Sequence, residues 1–386
     1  MERRKNEFIY LDHNATTPVD PAASKAMLPF MEQEFGNPSS PYFLGIKAKE
    51  RLEQSREDVA LLLSCMNQEI IFTSGGSESN NAVLKGIIDF KNPQDFHLII
   101  TAVEHPAILN PARFLMELGA QVTILPVDHF GRVDPDEVRR AIRPNTSLIS
   151  IMLANNETGT LQPIREISKI AREYEIPLHT DAAQAVGKLP VDVNKLDVDF
   201  LSVAGHKLYG PKGVGALFIR DGRSITPLIH GAGQEAGKRA GTENMILSVG
   251  LGVACQVARK RLDDDFKGMQ TLRDRLQELL FSELDGLVLN GHPDERLPNT
   301  LNISVPGIEG GKILEGLPTI LASTGAACHD RSVELSYVLS AMGVPTEIGM
   351  GALRLTVGRT NTMEQIEHAA RLIVDRVKEM KNRKSH

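Results

Sequence analysis

Lys207, Asp181, His105 and a glycine–serine turn at Gly75-Gly76-Ser77 are the groups in this sequence whose types and spacing could do chemistry together. Lys207 stands in Gly205-His206-Lys207-Leu208-Tyr209-Gly210-Pro211, a tight loop rather than a helix face. A lone lysine is a solvated surface residue in roughly nine cases of ten. One placed directly after a buried strand is desolvated instead. Desolvation disfavours the ammonium and leaves an amine able to form a Schiff base. A carboxylate in the same pocket, Asp181, would keep a pyridine nitrogen protonated and make the ring an electron sink. The His105 imidazole could stack on such a ring and move protons. Alone, Asp181 reads as a cap or turn residue and His105 as a partly buried histidine. The turn at Gly75-Gly76-Ser77 offers backbone N–H groups and a hydroxyl at a helix start, a cradle for phosphate. A plain helix cap fits those three residues equally well. No Lys-Ser or Lys-Thr follows the glycines, as a P-loop needs, and no third glycine completes a dinucleotide fingerprint. One coenzyme accounts for the whole set: pyridoxal 5′-phosphate.

The elements that must position these groups are legible as an alternation of short β-rich runs and longer amphipathic stretches. That pattern predicts an α/β fold with a mostly parallel seven-stranded sheet flanked by helices. Strands are expected at 70–73, 97–101, 121–126, 147–153, 177–180, 199–203 and 214–220. Helices are expected at 79–90, 107–118, 134–141 and 164–174, the last apolar at Ile164, Ile167, Ile170 and Ala171. In such sheets ligands bind at the carboxyl ends of the strands, and five of the runs end on polar residues. They lead into Ser74-Gly75-Gly76-Ser77, Glu104-His105, Asn155-Asn156-Glu157, Asp181 with Gln184, and Gly205-His206-Lys207. After Gly241 the character changes. Two helices, 245–258 and 260–284, precede a β-like run at 300–305, a glycine-rich stretch at 307–311 and a loop around 323–328. A strand at 353–357 and a terminal helix from Met363 complete the chain. The domain reading is a large coenzyme-binding domain over 16–262, and a small α+β domain built from 1–15 and 263–386.

Composition narrows the function classes. The 386 residues are 41% apolar and 24% charged, with mean hydropathy −0.16, which suits a sizeable core. A net charge of −6 argues against a nucleic-acid partner, and the basic group Lys381, Arg383 and Lys384 reads as a solvated helix end. No window approaches a membrane span and no apolar run of signal-peptide length follows the first residues. Cys65, Cys255 and Cys328 have no metal spacing and cannot all pair, so a reduced, cytoplasmic setting is expected.

Further motifs sharpen the picture: Tyr10-Leu11-Asp12-His13-Asn14-Ala15-Thr16-Thr17, Val103-Glu104-His105, Asn155-Asn156-Glu157-Thr158-Gly159, His179-Thr180-Asp181-Ala182-Ala183-Gln184, Arg239-Ala240-Gly241-Thr242-Glu243-Asn244 and Leu353-Arg354-Leu355. In order and over nearly the whole chain, they resemble the NifS/IscS-type cysteine desulfurases, which are class V aminotransferase-like, fold-type I pyridoxal-phosphate enzymes. The resemblance implies that Lys207 forms the internal aldimine, Asp181 pairs with the pyridine nitrogen and His105 stacks on the ring. It implies coenzyme contacts from Asn156 and Gln184, and a phosphate held by Gly76, Ser77 and His206. Thr242 would reach across from the partner subunit of a homodimer. Arg354 would clamp the substrate carboxylate, which suits a planar guanidinium, with Asn14 nearby. Cys328, in Ser323-Thr324-Gly325-Ala326-Ala327-Cys328-His329, would form the persulfide.

By this resemblance L-cysteine is converted to L-alanine and a Cys328 persulfide, which passes to an acceptor such as an iron–sulfur scaffold or a thiolation protein. Two departures stand out. Ala204 occupies the position, three residues before Lys207, where the family usually has a serine for the phosphate. The run Gly325-Ala326-Ala327-Cys328-His329 leans toward the selenocysteine lyases, so release of selenium from L-selenocysteine is the competing expectation. An ordinary aminotransferase would have no use for Cys328. A catalytically inactive sulfur-carrier or regulatory partner would not need Lys207, Asp181 and Arg354 together.

Overall fold

Seven strands form the central sheet: β1 (Ile70–Thr73), β2 (His97–Thr101), β3 (Gln121–Leu125), β4 (Thr146–Ser150), β5 (Leu178–Asp181), β6 (Phe200–Ala204) and β7 (Gly215–Ile219). The structure is a computed structural model that describes residues 8–324, 326–329 and 332–384, giving the backbone alone for 326–329, 332–333 and 384. Strand order is β1-β7-β6-β5-β4-β2-β3, with β7 antiparallel to both neighbours and every other pairing parallel. This is the seven-stranded, mostly parallel sheet expected from the alternation. The reversal at β7 has a simple cause. Only the short Lys207 loop separates Ala204 from Gly215, and a parallel crossover needs a dozen or more residues.

Strands β1, β2, β5, β6 and β7 are buried at every position, as befits strands covered on both faces. β4 stops at Ser150 rather than running on to 153. The Met152 N–H turns out of the ladder toward the buried Glu104 carboxylate, 3.1 Å away. Between β2 and β4 the strand order reverses, since β3 lies on one side of β2 and β4 on the other. Such a switch point opens a crevice at the carboxyl ends.

A second apolar cluster gathers Ile9 and Leu11 with Leu276, Leu301, Ile303, Leu353, Leu355 and Ile373. Here strand Ala352–Thr356 lies between Thr300–Ser304 and Ser323–Thr324, antiparallel to both. Ile9–Tyr10 pairs in parallel with Ile320–Leu321. The two helices expected after Gly241 are one: Met245–Glu283 runs unbroken for 39 residues. Nothing between Ala258 and Leu262 can stop it, because Ala258-Arg259-Lys260-Arg261-Leu262 contains only good helix formers. The glycine-rich stretch at 307–311 likewise leads into a short helix, Gly310–Glu315. The segment expected as a loop around Cys328 has the backbone of a hairpin, Ala326–His329 against Ser332–Leu335, with Cys328 opposite Val333. Among the described residues no helix is long and apolar enough to cross a membrane.

Candidate active site

A cavity of about 380 Å³ opens at the carboxyl ends of the sheet, within the size range of small-ligand sites. The sequence-predicted residues Asn14, Gly76, Ser77, His105, Asn156, Asp181, Gln184, His206, Lys207 and Arg354 all line it. Thr242 does not; it is exposed elsewhere on the surface. The side chain of Cys328 lies outside the described residues.

Lys207 enters from a single turn of 3₁₀ helix, Gly205–Lys207, that follows β6 directly. Its Nζ donates to the backbone carbonyls of Asn14 (2.6 Å) and Ala15 (2.7 Å). No carboxylate forms an ion pair with it among the described residues. Burial, reinforced by Arg354 and opposed by Asp181 and Asp12, pulls the amine down from 10.5 to about 8. The desolvated lysine anticipated from the loop sequence is therefore present.

Asp181 ends β5. Its Oδ2 accepts from Asn80 Nδ2 (2.7 Å) and its Oδ1 from the Ala183 N–H (2.9 Å), two donors that fix the orientation of the carboxyl group. His105 caps helix Pro106–Glu117, its Nδ1 accepting the Ala107 N–H at 3.1 Å. That bond leaves the proton of the neutral ring on Nε2. The ring borders the open cavity, to which it is exposed. Burial lowers its pKa; Asp181 opposes this and Lys207 adds to it. Beneath it, Glu104 is fully buried and accepts from Thr101 Oγ1 (2.7 Å). Burial and, to a smaller extent, the nearby Asp181 push its carboxyl up to about 8.

At the opposite end, helix Gly76–Ile87 begins after Gly75, whose φ of 148° is open only to glycine. No side chain caps this helix. The Gly76 and Ser77 N–H groups have no protein acceptor among the described residues. His206 Nδ1 is engaged with Thr16 Oγ1 at 3.1 Å, and burial, with three nearby lysines adding to it, lowers its pKa to about 4. Ala204 lines the wall where a serine hydroxyl was expected to be missing. Its methyl packs about 3.4 Å from where a Cβ on Gly76 would stand.

Arg354 crosses from the second core. Its Nη2 donates to Asp12 Oδ1 (2.8 Å) and Ser323 Oγ (3.0 Å), and its Nη1 to the Asn156 carbonyl (3.3 Å). The buried Arg354 Nε and Asn156 Oδ1 have no protein partner. Buried polar atoms are rarely left unpaired, so a planar anion and a hydrogen-bonding ligand would each find a waiting group here. An amine whose pKa is pulled down, a fixed carboxylate, an imidazole in the same cavity and an open helix start fit pyridoxal phosphate.

Sequence reasoning missed several of the supporting residues. Asn80 fixes Asp181, Asp12 and Ser323 fix Arg354, and Lys188 is buried behind the pocket. Only Lys188 carried a local signal, as a lone charge in the small and apolar run Ala185-Val186-Gly187-Lys188-Leu189.

The class-V aminotransferase family matches residues 9–368. The chain is 47% identical to a cysteine desulfurase, IscS, of Methanosarcina thermophila, over 98% of this chain and 94% of that one. Among solved structures it is similar to a NifS-like protein, with TM-score 0.90, 37% identity and coverage of 95% and 98% of the two chains. It is also similar to the protein SspA solved in complex with cysteine, with TM-score 0.82, 37% identity and coverage of 92% and 99%. With the likeness running the length of the sheet, the cavity and the second core, the chain belongs to the class-V aminotransferase family, among its NifS/IscS-type cysteine desulfurases.

Proposed function

We propose that this protein is a pyridoxal-phosphate-dependent cysteine desulfurase that takes sulfur from L-cysteine, leaving L-alanine and a persulfide on Cys328. The observation that carries the reading is the meeting of Lys207, Asp181 and His105 in one cavity. Lys207 would hold the coenzyme, with Asp181 as partner for its ring nitrogen, His105 to stack on the ring, and Asn156 and Gln184 to contact it. Gly76, Ser77 and His206 would hold the phosphate, with Thr242 supplied by a second subunit. When bound, the coenzyme supplies a sink for the electron pair left at the substrate α-carbon.

Arg354 orients the substrate through its carboxylate, with Asn14 bracing the wall beside it. The Lys207 amine, neutral in an appreciable fraction at pH 7, removes the α-proton at Nζ. Cys328 as thiolate attacks the substrate sulfur. A new S–S bond forms and the substrate C–S bond breaks with its electron pair passing to the β-carbon; protonation of that carbon and return of a proton to the α-carbon give alanine. The persulfide then passes to an acceptor protein, an iron–sulfur scaffold or a thiolation factor. The other cysteines are unsuited to this step: burial pushes the Cys65 thiol up to about 12, and Cys255 is enclosed and raised still further.

We place the catalytic cysteine on a small domain, 1–15 with 263–386, that works against a large domain of 16–262. A homodimer is supported by the strongly exposed Phe35 and Phe43, 76% and 74% accessible, near the exposed Tyr42 and Ile46. A cytoplasmic setting accords with the unpaired cysteines.

Incubation with L-cysteine, followed by alanine quantification and mass analysis of Cys328, tests the reading. Wild type is expected to yield alanine and a +32 mass increment, roughly one sulfur atom, on Cys328. Cys328→Ala releasing alanine at the wild-type rate refutes the assignment. Parallel kcat/KM values for L-selenocysteine decide the alternative suggested by Ala326-Ala327-Cys328-His329.

A further inference from the structure

The cavity has a second lysine behind it that the reaction does not use. Lys188 is 4% exposed, and among the described residues no carboxylate forms an ion pair with it. Its Nζ donates to Gln184 Oε1 (2.9 Å) and Asn14 Oδ1 (3.1 Å). Those two acceptors match the two N–H bonds of a neutral amine, the form that burial favours.

A glutamine amide can be turned end for end in almost the same volume, and only its partners decide which end points where. Both N–H bonds of this amine are directed at the two amide oxygens, so the end of Gln184 that meets Lys188 is the carbonyl one. The NH₂ end is thereby turned to the Asn14 carbonyl, 2.9 Å away. That same carbonyl receives Lys207 Nζ. The second N–H of Gln184 has no protein acceptor among the described residues, and Gln184 lines the cavity.

We infer that Lys188 is a positioning residue: its amine selects the orientation of the Gln184 amide, so that an N–H rather than a carbonyl is presented to an oxygen of the bound coenzyme. The inference rests on the coenzyme reading above and extends it to a residue outside the cavity wall. Without the amine, the carbonyl end of Gln184 has no donor, and only the Asn14 carbonyl opposes a flip that would present a lone pair where a donor is needed. Asn14 loses only one of its partners, since Asn299 Nδ2 still donates to its Oδ1 at 3.0 Å.

The test is a double-variant cycle read by coenzyme binding to the apoprotein, through calorimetric titration and visible absorbance, rather than by turnover. Lys188→Met and Gln184→Met are each expected to weaken coenzyme affinity about tenfold, the scale of one hydrogen bond. The double variant is expected to be no weaker than Gln184→Met alone, because Lys188 acts through that amide. Wild-type affinity in Lys188→Met, or a double variant weakened by the product of the two single effects, overturns the inference. If Lys188→Met is too unstable to purify, comparing the double variant with Gln184→Met decides alone. Removing both partners of a buried hydrogen bond is tolerated better than removing one, and a further tenfold loss in the double variant overturns the claim. Borohydride reduction of each loaded protein keeps the two readings apart. Coenzyme fixed to Lys207 in every variant leaves the functional reading standing whatever Lys188 does.

Discussion

Replacing Arg354 by methionine should move the pH at which Lys207 becomes reactive upward, and the structure gives the reasons. The amine is held at about 8 chiefly by burial and next by Arg354, while Asp181 and Asp12 oppose them. At pH 7 roughly a tenth of wild-type Lys207 is neutral, about 300-fold more than for an unshifted lysine. Taking away the guanidinium removes a depressing cation and leaves Asp12, its ion-pair partner at 2.8 Å, acting on Lys207 unopposed. Both changes raise the midpoint. Asp12→Asn should lower it, because an opposing anion is lost. The assay is the rate of coenzyme attachment to apoprotein, followed by stopped-flow absorbance from pH 6 to 10. Wild type should rise through a midpoint near 8, Arg354→Met through a higher one and Asp12→Asn through a lower one. A wild-type midpoint near 10.5, or the two variants moving in the opposite order, refutes the electrostatic account. Stability follows the same linkage. Between about 8 and 10.5 the folded chain binds fewer protons at this site than the unfolded chain, so the contribution of Lys207 to stability rises with pH across that window.

Other outcomes follow from single contacts. Glu235→Ala leaves Arg56, whose Nη1 pairs with Glu235 at 2.7 Å with side chains only 9% and 2% exposed, with the half-exposed Glu53 and the Ile70 carbonyl as its remaining partners; urea denaturation should show a loss of about 3 kcal/mol. Asp181→Asn should keep the fold and still permit borohydride fixation on Lys207, while alanine production falls by at least about 100-fold because the carboxylate proposed to face the ring nitrogen is replaced by an amide. Gly215→Ala places a methyl 2.7 Å from Gly75 Cα and against the Val203 carbonyl. It should cost about 1–3 kcal/mol in thermal unfolding and weaken coenzyme binding, since Gly75 sets the start of the helix proposed to hold the phosphate.

The sheet is legible in the sequence because its strands are short apolar runs closed by turn residues, and the polar groups at their ends gather where a parallel sheet must present them. Lys207, Asp181 and His105 could be picked out because each directly follows or ends such a run. What stays hidden is long-range. Asn14 touches Asn156, Gln184, Lys188, Lys207, Asn299, Thr300 and Thr356, partners that no local pattern links. The Asp12–Arg354 pair spans 342 residues. The unbroken helix Met245–Glu283 is hidden for a different reason. The change from apolar to charged residues along it records a change of surroundings, and it resembles a boundary only when composition is taken for conformation.

The cradle that holds the Lys207 amine is made by carbonyls near the beginning of the chain, and those carbonyls are set by its far end. The Asn14 N–H bonds Thr356 Oγ1 at 3.1 Å, and the Thr356 N–H bonds the Leu11 carbonyl at 2.8 Å. A ribosome that has not yet released residue 356 has therefore made the lysine without its seat. A finished seat for this amine must wait until residue 356 has emerged, and long-separated contacts of this kind also slow folding. A nascent chain is thus ready for the aldehyde coenzyme only once these two distant segments have found each other.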